Sequence, residues 1–253
     1  MANKLAYQTA GDPSRHAIML VHGFMSCNGQ WLCNVDALSK DHYLVMIELW
    51  GHGDSPTPRD EACYSISSYV TQFEHIREVL GIQRWSVIGQ SYGAGLVINY
   101  ALQRPERCDA VVVTNSRSAF GKIERGAPRN KDKQTRFDPR SLPFHPINAR
   151  RFPQHVKDAL VEKADGITLA AIKLGGLVGD LNSIKTLGKL EQPVLLTNGR
   201  YEKSFQVDLD NLLQLYCDLN VADLDGGHSV NIEAAEGFNA AVLNFLSNAQ
   251  EPS

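Results

Sequence analysis

The 253-residue chain is 43% hydrophobic and 21% charged, with a formal net charge of −3. These proportions fit a globular domain, or a domain carrying one insertion, long enough to bury a large core. They give no basic footprint for nucleic acid, no apolar run reaches membrane-spanning length, and the first residues lack the apolar stretch of a signal peptide.

In chain order, short β-rich runs alternate with helical patterns. Strands are expected over residues 4–9, 17–21, 43–49, 85–88, 110–115, 193–198 and 220–225. Several are continuous apolar runs, as when helices cover both faces of a parallel sheet. Ser65 reads as the N-cap of a helix with Ile66, Val70, Phe73, Ile76 and Leu80 on one face, ended by Gly81. A second helix follows residue 91, turns Val97, Ile98, Ala101 and Leu102 inward and stops before Pro105. The last places Phe238, Ala241, Val242, Phe245 and Leu246 at helical spacing. Alternation of this kind predicts an α/β class with a doubly wound, mostly parallel sheet.

Residues 116–190 break the rhythm. They hold no strand pattern, begin polar and basic, pass Pro139, Pro143, Pro146 and Pro153, and read as helical from 153 to about 181. So long a stretch exceeds a normal connection and reads as an insertion. The five cysteines, Cys27, Cys33, Cys63, Cys108 and Cys217, are scattered without metal-ligand spacing. They read as reduced thiols of a cytoplasmic protein, Cys27 buried among them.

Gly89-Gln90-Ser91-Tyr92-Gly93 lies between the strand at 85–88 and a helix. A Ser with Gly two residues away on each side, at a strand-to-helix turn, has the form of a nucleophile elbow. The turn is tight enough that side chains at the flanking positions would collide, and it lifts the hydroxyl clear of the sheet. A base is expected on the loop after the last strand, where Asp225-Gly226-Gly227-His228-Ser229 supplies His228. An acid must orient that imidazole. Glu202, after the strand at 193–198, occupies the right place, whereas the end of the preceding strand carries Asn115 and Ser116. Asp208 and Asp210 read as helical, and Asp225 precedes the loop. Oxyanion donors are expected from the backbone N–H groups of Tyr92 and of Phe24 in Val21-His22-Gly23-Phe24, with Gly23 permitting a sharp turn. His22 and the turn Trp50-Gly51-His52-Gly53-Asp54-Ser55 read as scaffold.

Together these residues resemble the α/β-hydrolase superfamily, in its serine-nucleophile esterase and lipase-like branch with a helical cap. The resemblance covers nearly the whole chain and rests on five pieces in order: the HGF turn, the GHGDS turn, the GQSYG elbow, the late acid and the terminal GGHS. It implies an α/β-hydrolase fold with an eight-stranded sheet, a core domain of residues 1–115 and 191–253, and a helical cap over 116–190. It also implies a triad of Ser91, Glu202 and His228. Glu in place of the commoner Asp, and Trp50 in the GHG turn, depart from the usual pattern.

The expected activity is cleavage of a carboxylic ester or thioester of a small to medium substrate through an acyl-enzyme, with no cofactor and no metal. The expected partner is that small molecule, with neither nucleic acid nor membrane. A C–C bond enzyme is the alternative. Glu202-Lys203-Ser204-Phe205, and Glu124-Arg125 with Arg129 and Asp132, resemble the menaquinone-pathway C–C lyase, although Gln90 stands where that family usually has Tyr. A non-catalytic ligand-binding member of the fold is a further alternative. Phe137, Phe144, Phe152 and Leu174 are candidate pocket-lining residues.

Overall fold

A computed structural model describes residues 4–121, 138–142, 145–175 and 181–250. Each expected strand forms: β1 (Tyr7–Ala10), β2 (Ala17–Val21), β3 (Tyr43–Ile47), β4 (Trp85–Gly89), β5 (Cys108–Thr114), β6 (Val194–Gly199) and β7 (Asn220–Leu224). They build one sheet in the order β1-β3-β2-β4-β5-β6-β7. β1 pairs antiparallel with β3, and every other pairing is parallel. Among the described residues the sheet has seven strands, one fewer than the resemblance implies. Before β2 the described chain supplies β1 alone, followed by a turn.

The apolar strands are explained by the two layers they separate. On β2, Ala17, Met19 and Val21 point into one core and Ile18 and Leu20 into the other. Side chains alternate across a strand, so a run with both faces covered must be apolar throughout. Helices α1 (Ile66–Val79) and α2 (Tyr92–Gln103) cover the first face. Ser65 caps α1 by accepting the Ser68 N–H at 3.3 Å, and its Val70, Phe73 and Ile76 stripe is buried. Gly81, at φ 69°, turns the chain away from it.

Between β5 and β6 the described residues contain no strand. They include α3 (Gln154–Asp165) and α4 (Leu169–Gly175). The stretch read as helical from 153 to about 181 thus divides at Gly166, and at the start of α4 Thr168 accepts the Ala171 N–H at 3.1 Å. Val156 and Leu160 of α3 pack with Cys27 and Ile232. Ile167 and Ala171 pack with Met25, against which Phe24 and Leu142 rest. Lys163 of α3 also reaches Asp54 at 2.8 Å. These contacts hold the helical segment over the carboxyl ends of β2 and β3. After β6, α5 (Lys203–Leu215) returns to the first face, and α6 (Ala235–Gln250) covers the second with Phe238, Val242, Phe245 and Leu246.

Candidate active site

The elbow is strained at one residue. Ser91 has φ 52° and ψ −112°, a left-handed conformation that a residue with a Cβ adopts only when its surroundings enforce it. The enforcement is visible. Ser91 N–H donates to Thr114 Oγ1 at 3.1 Å, and the Ser116 hydroxyl donates to the Ser91 carbonyl at 2.7 Å. The flanking glycines are needed for close approach, but the obstacle is main chain rather than the serine. A Cβ on Gly89 would run into the Gly93 carbonyl, and one on Gly93 into those of Val21 and His22.

The loops after β4, β6 and β7 bring three distant side chains together. Nε2 of His228 lies 2.9 Å from Ser91 Oγ, and Nδ1 lies 3.0 and 3.1 Å from the two oxygens of Glu202. An ionised carboxylate only accepts, so Nδ1 carries the proton and Nε2 is free to accept the serine hydroxyl. Burial on its own would lower the pKa of His228. The hydrogen bond and charge of Glu202, with the charge of Glu233, outweigh it and hold the imidazole above its usual 6.5.

A set of groups that the sequence did not single out holds this relay in place. Asn115, fully buried, donates through Nδ2 to Glu202 Oε2 and to the Gly227 carbonyl at 3.4 Å, and accepts the Gly199 N–H at 3.4 Å. The end of β5, read as lacking a competing acid, thus carries the amide that anchors the acid. Glu233 accepts the Gly227 N–H at 3.0 Å, and Gln90 donates to the His228 carbonyl at 3.3 Å. Arg151 lies 4.4 Å over the Tyr201 ring and 3.7 Å from Glu233, joining the helical segment to the chain around Glu202 and His228. No period or spacing in the sequence marks these contacts, most of which join residues far apart in the chain. Asp208 lies buried on α5, and exposed Asp225 binds Tyr201 and Arg200; neither approaches His228 as Glu202 does.

The two N–H groups expected to face an oxyanion belong to Tyr92, at the first position of α2, and Phe24. Neither meets an acceptor among the described residues. The first N–H groups of a helix have no intrahelical partner, which suits them to developing negative charge. The left-handed residue of this turn is Met25, at φ 62°. A Cβ on Gly23 would meet the Gln90 side-chain oxygen, so the glycine lets Gln90 lie close against this loop. His22 and His52 hold this loop as scaffold. His22 Nδ1–H donates to the Gly23 carbonyl at 2.7 Å, and its Nε2 accepts the Leu49 N–H at 3.1 Å. His52 Nδ1–H donates to the Trp50 carbonyl at 2.9 Å, and its Nε2 accepts the Met25 N–H at 3.1 Å. Burial lowers the pKa of His22 to about 3 and that of His52 to about 4, so both are neutral. Trp50 is core, packed in the cluster that includes Tyr64 and Tyr69.

Ser91 opens into a cavity of about 640 Å³. Phe24, Leu142, Phe152, Leu160 and Ile172 supply its apolar wall, while Gln90, Arg117, Ser118 and His228 supply polar groups. Phe152 is thus where the sequence reading put it. Leu174 is not at the cavity and packs against the main core instead. On a helix, positions two apart lie about 200° apart, so with Ile172 and Gly175 facing the cavity, Leu174 turns away. Phe137 and Phe144 lie outside the described residues, as do Glu124, Arg125, Arg129 and Asp132.

The family model described as alpha/beta hydrolase fold matches residues 16–165, and the chain belongs to this family. A (lyso)-N-acylphosphatidylethanolamine lipase from Bos taurus is 34% identical over 104 residues, 40% of this chain and 30% of the lipase. A Bacillus subtilis protein provisionally named 2-succinyl-6-hydroxy-2,4-cyclohexadiene-1-carboxylate synthase is 27% identical over 113 residues, 45% of this chain and 41% of that protein. The matched stretch spans less than half the length of these curated relatives. The enol-lactonase from Burkholderia xenovorans LB400 superimposes with a TM-score of 0.75 at 22% identity, covering 96% of both chains. At that identity the likeness is one of fold.

Proposed function

We propose that the protein is a serine hydrolase that cleaves a carboxylic ester or thioester of a small to medium substrate through an acyl-enzyme. One observation carries the reading: a strained serine, a hydrogen-bonded imidazole and a carboxylate stand in line at the wall of a cavity. Residues 116–190 act as the helical cap over it. His228 Nε2 takes the proton as Ser91 Oγ attacks the carbonyl carbon, and the oxyanion is held by the N–H groups of Phe24 and Tyr92. The tetrahedral adduct collapses as His228 returns that proton to the leaving group. Water then adds to the acyl-enzyme with His228 again as base, and Ser91 is regenerated. The five cysteines stay outside this chemistry. Burial raises the Cys27 thiol to about 11.

Ester chemistry is favoured by the names of two similar proteins, a lipase and a lactonase. The Bacillus subtilis relative favours a C–C bond reaction as a second reading. Replacing Ser91 by Ala should lower turnover of p-nitrophenyl esters by about 10⁴–10⁶-fold while the far-UV circular dichroism stays unchanged. A fluorophosphonate should label the wild type at Ser91. Wild-type rates in the variant, or no label on Ser91, would overturn the reading; the latter would point to a non-catalytic binding protein.

A further inference from the structure

Arg117 is the only lysine or arginine among the described residues that line the cavity, and the acyl-transfer steps give it no task. Its backbone is fixed to the nucleophile. On one side the Ser116 hydroxyl bonds the Ser91 carbonyl at 2.7 Å, and on the other Ser118 Oγ lies 3.0 Å from Ser116 Oγ. Its side chain is fixed as well. Nε donates to Oδ2 of buried Asp208 at 3.2 Å, in an ion pair whose arginine side chain is 59% exposed and whose aspartate side chain is 8% exposed. The contact uses one edge of the fork. Nη1 and Nη2 meet no acceptor among the described residues.

A guanidinium held by one edge presents its remaining donors in a plane that matches a carboxylate. The acidic residue at the cavity wall, Glu202, is committed to His228 and Asn115. An arginine placed only to neutralise Asp208 would have no reason to form part of the cavity wall two residues beyond Asn115. From this placement we infer that Arg117 recognises a carboxylate on the substrate, so that the preferred substrates are short anionic esters or thioesters rather than neutral ones. The inference rests on Ser91 being the nucleophile. Because the segment carrying Arg117 is bonded to the Ser91 backbone, the carboxylate lies within a few bonds of the scissile carbonyl.

The test compares esters matched in size. Mono-p-nitrophenyl glutarate carries the charge on the acyl side and 4-acetoxybenzoate on the leaving-group side. Their neutral counterparts, with acetyl in place of the carboxylate, are p-nitrophenyl 5-oxohexanoate and 4-acetylphenyl acetate. At least one anionic member should show a kcat/KM tenfold or more above its neutral counterpart, and 0.5 M NaCl should reduce that ratio. Arg117→Gln should collapse the ratio at least tenfold, and Arg117→Lys, which keeps the charge beside Asp208, should restore part of it. A wild-type preference for the neutral member of both pairs would overturn the inference, as would a ratio unchanged in Arg117→Gln. Calorimetric titration of monomethyl glutarate into Ser91→Ala separates this question from catalysis. Binding that disappears in Ser91→Ala/Arg117→Gln supports carboxylate recognition even if no ester is turned over. Turnover of neutral esters, with no anion binding, sinks it and leaves the esterase reading standing.

Discussion

At the residue scale the site is a balance of opposing effects on one imidazole. Burial works against protonation of His228, and Glu202 with Glu233 works for it and prevails. As the proposed base, His228 must be neutral to accept the serine proton, so kcat/KM should fall as pH drops through a value above 6.5. Glu202→Gln removes the largest favourable influence and leaves burial. Its acid limb should therefore move to lower pH, while the maximal rate drops by about 10³–10⁴-fold through loss of the oriented tautomer. A pH–rate profile of both proteins from pH 5 to 8 checks the direction, and an acid limb that stays put in the variant would count against the assigned pair. The acid itself depends on Asn115, whose amide spans Glu202, Gly199 and Gly227. One buried side chain thus fixes the ends of two loops that are remote in sequence.

At the scale of elements, α4 is bound to the elbow helix, among the described residues, by one polar contact, the Tyr92 hydroxyl donating to the Gly175 carbonyl at 3.0 Å. The Phe24 and Tyr92 rings, 5.7 Å apart, sit beneath it, and a Cβ on Gly175 would press on Phe24. Tyr92→Phe deletes the hydroxyl and keeps the backbone N–H proposed for the oxyanion. Loss of about 1 kcal/mol of local anchoring should speed hydrogen exchange of the α4 amides about fivefold without altering that of β2 or β4. Equal exchange in both proteins would show that apolar packing alone seats α4. The seven strands, their alternation and the capped α1 were legible because each follows from local periodicity. The break at Gly166 was not, since the apolar spacing runs on through it and only the two separate packing clusters, around Cys27 and around Met25, show where the helix divides.

At the scale of the whole molecule, acid stability follows from histidines the chemistry does not use. His22 and His52 are neutral when folded, with pKa values held by burial at about 3 and about 4, against an ordinary 6.5 when unfolded. Below pH 6.5 the unfolded chain binds protons that the folded one refuses, so their contribution is complete above 6.5 and lost as pH falls toward the folded values. The loss is about 1.4 kcal/mol per pH unit for each. Burial holds His16 and His42 low too, with the same sign, whereas raised His228 opposes them. The urea midpoint should therefore fall between pH 7 and pH 5, and a midpoint that rises or holds over that interval would contradict this assignment. Because His22 and His52 bond the Phe24 loop, their protonation should also disturb the proposed oxyanion donors.

The order of strands and helices, the elbow with its flanking glycines, and the positions of Ser91, Glu202 and His228 could all be read from the chain. Each depends on local periodicity, or on a turn that only certain residues permit. Packing alone decided the rest: that Gly89 and Gly93 make room for backbone, that Met25 takes a left-handed conformation, that Asn115 braces Glu202, and that Arg117 faces the cavity while Leu174 turns into the core. Those roles belong to contacts between residues far apart in the chain, and such contacts leave no period or spacing in the sequence that could announce them.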